Sequence, residues 1–263
     1  MATRPREHDE VPDGSVTRSH VGVREQLGEV LGEVAAPIVA AITRARRARM
    51  FHPEGLTFAA RAEAIPSETF GELGSRLDGR VLARCSPALS RRGRETLDVL
   101  GIALRFRRGQ GTVLDELAEP GDQDLLFATI LSPFTMPLSL LTTDASDYLK
   151  NEYPAVSPFE VGRYRVKLRL RPIRAMHPIL DSRDHRLRAA VAGGRASWRL
   201  DARQTLTRSW QPIARISFER LLDLDQDALR FDPFRAGAGF VPVGVVQTMR
   251  RAVYAAGQRA RAS

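Results

Sequence analysis

The chain has 263 residues, 43% of them hydrophobic, which is enough to bury a core without disulfide or metal staples. A single cysteine, Cys85, excludes an internal disulfide framework, and no apolar run approaches the roughly 18 residues of a membrane span. The formal charge of +9 raises the question of nucleic acid, yet only Lys150 and Lys167 of the 40 basic residues are lysines and the arginines are spread along the chain, so a solvated arginine-rich surface is expected in its place.

Residues 1–20 carry Pro, Gly, Asp, Arg and Ser with no apolar period, which predicts a mobile N-terminal arm followed by one domain over 21–263. The arm has no apolar signal core, so a cytoplasmic location is expected. Val23, Leu27, Val30, Leu31, Val34, Ile38 and Ile42 recur at three- and four-residue steps, the stripe of a helix that Pro37 interrupts. The segment from Arg49 to Gly55 holds His52 where that helix gives way to sheet.

After Gly55, alternation predicts a strand from Leu56 to about Ala64, and Ser67 to Phe70 a turn or short helix. Gly79 to Ser86 and Leu97 to Arg107 read as strands, the second closed by a hairpin turn at Arg108-Gly109-Gln110-Gly111, and Asp124 to Leu131 as a buried strand. Pro137 to Asn151 reads as a helix. Val161 to Ile173 gives the clearest strand signal, with Tyr164, Val166, Leu168 and Leu170 alternating against arginines and Lys167.

A short helix is expected over Asp184 to Val191, stopped by Gly193-Gly194, then strands over Ala196 to Leu206 and Pro212 to Glu219, and a final helix over Val245 to Ala260. Ala236-Gly237-Ala238-Gly239-Phe240 lacks the third glycine of a dinucleotide loop and reads as a flexible turn; Trp198, Trp210 and Phe231 read as core. Seven or eight strands joined mostly by short turns, with few helices, predict an α+β chain built on an antiparallel barrel with helices packed outside.

Three segments at matching intervals resemble the catalase family: Arg49-Met50-Phe51-His52, Arg84-Cys85-Ser86, and Gly101-Ile102-Ala103-Leu104-Arg105-Phe106. Leu229-Arg230-Phe231-Asp232-Pro233 and Val241-Pro242-Val243-Gly244 resemble the end of that family's barrel, so the resemblance runs from about Arg49 to Tyr254. It implies a catalase-like β-barrel in which His52 is the distal acid/base, Ser86 orients it, and Arg49 and Arg84 hold the propionates of a haem. The family's distal Asn falls where this chain has Ala128 or Thr129.

On the proximal side the family uses an Arg-x-Phe-x-Tyr motif whose tyrosinate ligates iron. The nearest match is Arg250-Arg251-Ala252-Val253-Tyr254, which keeps the Arg-to-Tyr spacing of one helical turn but not the Phe. By resemblance Tyr254 is the axial metal ligand and Arg250 its cationic neighbour. Three readings stand open. In one the chain binds haem and turns over hydrogen peroxide or an organic hydroperoxide; in the second it is a haem-free binding or scaffold protein of the same fold, its cavity holding an apolar ligand; in the third, ranked behind both, the basic face of Val161 to Ile173 binds nucleic acid in a salt-dependent way. A monomer or homodimer is expected from the short arm.

Overall fold

The computed structural model describes residues 55–87, 98–108, 114–130, 142–173 and 182–244. Nearly every strand in it is long enough to alternate, and the alternation decides the architecture. Strand β1 (Leu56–Ala64) pairs antiparallel with β2 (Gly79–Pro87), β2 with β3 (Leu100–Phe106), and β3 with β4 (Gln123–Ala128). A short helix α1 (Gly71–Ser75) lies between β1 and β2. On the other side β1 pairs with β9 (Gln211–Leu222), β9 with β8 (Ser197–Gln204), and β8 with β7 (Tyr164–Pro172). The far edge of β7 is taken by two short strands, β5 (Tyr153–Pro154) and β6 (Phe159–Val161), and β10 (Val241–Pro242) adds to β6.

The sheet curls until its ends meet. Between β5 and β6 the Ala155 N–H donates to Leu168 of β7 (2.9 Å) while the Val156 N–H donates to Leu126 of β4 (3.1 Å), so this segment bridges both edges. With β5 and β6 sharing one position, the strands form a barrel-like ring of the size whose interior side chains fill. Leu56, Phe58, Ala60 and Ala62 of β1 point inward with Val81, Ala83 and Cys85 of β2 and Val166, Leu168 and Leu170 of β7. Trp198 packs on Phe218 at 4.4 Å between centroids and Phe218 on Phe58 at 5.3 Å. Each such burial contributes about 1.5–3 kcal/mol.

The strand boundaries follow the sequence reading closely, and the differences have local causes. Val161 belongs to β6, because Gly162, at φ +56°, turns the chain into β7. The turn expected at 108–111 falls largely on residues outside those described. The connection runs from Arg107 to Asp122, and Gly121, at φ +92°, turns it into β4. At the end of the helix expected over 137–151, side chains capture the backbone: Asp144 accepts from the Ser146 N–H (3.0 Å), Asp147 from the Leu149 N–H (2.8 Å), and Asn151 donates to the Asp144 and Asp147 carbonyls. Residues 137–141 of that expected helix lie outside the described residues; over 143–151 these bonds hold a 3₁₀ turn at Tyr148–Lys150. The second helix, α2 (Arg183–Ala192), starts where the Ser182 hydroxyl accepts from the His185 N–H and stops at Gly193. Its Leu187, Ala190 and Val191 join the barrel's apolar cluster.

Trp210 was expected in the core, but it stands half-exposed between Arg169 and Arg203. The glycine turn at 236–240 is held tightly instead of being flexible: the Gly237 N–H donates to the Asp122 carbonyl (3.0 Å), and a Cβ on Gly237 would overlap the Gly121 carbonyl. Among the described residues no helix is long and apolar enough to cross a membrane. The arm at 1–20, the helix stripe from Val23 to Ile42, His177 and the final helix at 245–260 lie outside the described residues.

One ionic cluster fastens the last segment to the barrel. Fully buried Arg105 donates from Nε to Asp124 Oδ1 (3.0 Å), from one terminal nitrogen to the Glu116 carbonyl (3.0 Å) and from the other to the Arg230 carbonyl. Asp124 also accepts from Arg235 and from the Asp232 N–H (2.8 Å). Removing one member of such a buried pair strands the other charge. Asp124→Ala should therefore lower unfolding free energy by about 3–5 kcal/mol in urea melts, whereas the apolar pair Arg105→Met with Asp124→Leu should cost much less.

Candidate functional site

The candidate site is the outward face of β1 to β4, and strand register builds it. Across these strands Thr57, Arg84, Ala103 and Leu126 form one row, and Ser86, Gly101 and Ala128 the next. Arg84 and Ser86, two residues apart, share that face because strand side chains alternate, while Cys85 between them points into the barrel. The face thus carries a small, nearly flat patch of Gly101, Ala103 and Ala128 with Ser86 beside it and Arg84 at its margin. Ser86, Ala103 and Leu126 are buried.

Arg84 is held from two sides. Its Nε donates to Gln226 Oε1 (2.9 Å), and Gln226 Nε2 donates in turn to the Thr57 hydroxyl (2.9 Å) and the Leu224 carbonyl (3.3 Å). Its guanidinium lies against Gly55, where a Cβ would stand 2.7 Å from the guanidinium carbon. Gly55 closes the Arg49–Gly55 segment, so the end of that segment meets Arg84 directly. Sequence reasoning named Arg84 but missed Gln226 and Thr57; only the polar identity of Thr57 on a strand pointed toward it.

Arg49, His52, Arg250 and Tyr254 lie outside the described residues, so of the expected site residues Arg84 and Ser86 are the two brought together here. Ala128 pairs with Gly101 on β3 and turns to the Ser86 side, whereas Thr129 donates nothing to that patch; its hydroxyl accepts from the Leu100 N–H (3.1 Å) and from Thr143. Burial, and next the nearby Cys85, hold the Tyr148 and Tyr153 hydroxyls well above the usual phenol range, and Tyr153 donates to the Tyr148 carbonyl (2.7 Å). Among the described residues no three His, Cys, Asp or Glu side chains gather as a metal site. A shallow groove of about 540 Å³ lies elsewhere, at the other end of β1, lined by Ala64, Ile65, Pro66 and Glu68.

Neither a protein-family model nor a curated protein matches the sequence.

Cys85 is inert by construction. Burial, and next the charge of Asp184, push its thiol far above the ordinary value, with Arg84 opposing weakly. A thiol reagent should leave the native protein unmodified at neutral pH and label it fully in denaturant, so that the labelling rate in between follows unfolding. Rapid labelling of the folded protein would contradict this placement.

Proposed function

We propose that the chain is a catalase-like haem protein acting on hydrogen peroxide or an organic hydroperoxide, with the outward face of β1 to β4 as the distal wall. The observation that carries the reading is the coincidence of Arg84, Ser86, Gly101, Ala103 and Ala128 on one buried face, with Gly55 pressed on Arg84. A planar macrocycle needs a wall of small residues with a cation at its edge, and this patch has both.

The residues present fit a haem on the distal side in that respect. Arg84 would hold a propionate through its guanidinium, which Gln226 and Thr57 orient, and Arg49 would hold the second. Haem would supply the redox-active iron for peroxide chemistry. His52 would act as the base that receives the peroxide proton and returns it to the departing oxygen, and the Ser86 hydroxyl would hydrogen-bond the imidazole and direct it at the substrate. Ala128 offers no hydrogen bond where the family has an amide, so a bulkier, less polar hydroperoxide is favoured over hydrogen peroxide itself. Tyr254 would hold the iron, with Arg250 four residues before it in sequence supplying a cation.

The haem-free scaffold is the second reading. The observation in its favour is that Gln226 takes the Arg84 Nε–H, one of the donors a carboxylate would use for a two-point contact.

The two readings separate on the absorption spectrum of the protein from haem-supplemented cells. The first expects a Soret band near one haem per chain, haem affinity lowered about tenfold in Arg84→Leu through loss of a charge-assisted bond, and a smaller loss in Gly55→Ala, whose methyl displaces the guanidinium. His52→Ala should retain the band and lose peroxide turnover. A folded, colourless protein that takes up no added haem selects the scaffold.

A further inference from the structure

The outer face of β7 and β8 gathers charges that lie far apart in sequence. Alternation turns Arg165, Lys167, Arg169 and Arg171 outward, and the antiparallel register sets Lys167 opposite Arg203, Arg171 opposite Arg199, and Arg199 opposite Arg215 of β9. Like charges directly opposite on a sheet destabilise it. Asp201 relieves part of this, bonding Arg169 (3.1 Å) and Arg199 (2.6 Å), and Glu152 bonds Arg169 (3.1 Å) and Arg171 (2.7 Å).

The relief stops there. Arg165, Lys167, Arg203 and Arg215 form no ion pair among the described residues, although Glu160 and Glu63 stand opposite Arg165 and Arg215 in register. Arg165, Lys167 and Arg215 are exposed. Arg203 stacks at 4.8 Å on Trp210, which Arg169 also contacts at 4.3 Å, and its buried Nε has no hydrogen-bond acceptor. Successive cations on one strand stand about 7 Å apart, so the row from Arg165 to Arg171 is about 20 Å long and two strands wide.

We infer that this face binds the phosphate backbone of single-stranded nucleic acid. A narrow line of regularly spaced cations on a convex barrel wall matches a linear polyanion, whereas a flat anionic surface would meet only a few of them at once. Trp210, already stacked on two guanidiniums, holds these cations in place and does not read bases. The binding is therefore sequence-independent. It is also independent of haem, since the face lies on β7 and β8, apart from the β1 to β4 wall.

The test uses the full chain, a fluorescently labelled thymidine oligonucleotide, and anionic phospholipid vesicles as the competing probe. The oligonucleotide should bind at low salt with an affinity that falls steeply as salt rises, with a log–log slope of about −3 for four phosphates neutralised. Lys167→Glu and Arg203→Glu should each weaken binding about tenfold. Lys167→Glu should at the same time raise the melting temperature, because it converts a repelling cross-strand pair into an attracting one. That opposite movement of stability and binding separates a binding surface from a merely structural one. Absence of oligonucleotide binding at low salt, unchanged binding in both variants, or preferential binding to the vesicles would each overturn the assignment.

Discussion

The contact between Arg105 and Asp124 governs how the rest of the barrel can be used. Both side chains are buried on the outward side of neighbouring strands, and each reaches beyond the sheet: Arg105 to the carbonyls of Glu116 and Arg230, Asp124 to Arg235 and the Asp232 N–H. The cation also lies over the Phe231 ring at 4.9 Å. Next to it Arg107 bonds Asp122 (3.0 Å) and Asp115 (2.6 Å) and so fixes the long β3–β4 connection. Gln123 completes the clasp by donating to the Arg235 and Phe240 carbonyls and accepting from the Phe240 N–H. Burying such a pair is not by itself a source of stability. What it does is specify one position for residues 229–240 against β3 and β4.

That position divides the outward face of β1 to β4 in two. The row of Ala59, Leu82, Arg105 and Asp124 is closed over by Leu114, Leu229 and Phe231. The rows beyond it, with Arg84, Ser86, Gly101, Ala103 and Ala128, carry the candidate site. The segment that closes the first part also supplies Gln226, which holds Arg84 at the edge of the second. The ionic cluster and the candidate site are thus consecutive rows of one surface, and a shift of the closing segment would move the arginine that the site needs.

Much of the fold is legible in the sequence because a strand with one buried face must alternate. Leu56–Ala64, Gly79–Pro87 and Tyr164–Pro172 declare themselves in this way, and Gly193-Gly194 marks the end of α2. The bonds that fix the described ends of the β3–β4 connection come from Arg107 and Asp122, and no local pattern marks them. Arg105 and Arg107 look like any solvent-facing residues of a strand in a chain with 40 basic side chains. Nothing local distinguishes a buried arginine from an exposed one; burial is decided by carboxylates across the β3–β4 connection and, for Arg105, by the Arg230 carbonyl, 125 positions further on. For the same reason Arg84 and Ser86 could be paired from their spacing, but Gln226, 142 positions further on, could not.

Arginine therefore plays two opposed parts on one barrel. On β3 every terminal nitrogen of Arg105 is used and the charge is matched by Asp124, so the side chain disappears into the structure. On β7 and β8 the register does the reverse, placing Lys167 against Arg203 and Arg171 against Arg199, with Asp201 and Glu152 shared among more cations than they can neutralise. Both arrangements follow from the same two-residue period; only the carboxylates differ. A single acidic substitution on either strand would remove that repulsion. The uncompensated charge stands on the exposed wall, where an outside anion can meet it. The neutralised arginines lie instead where chain must meet chain.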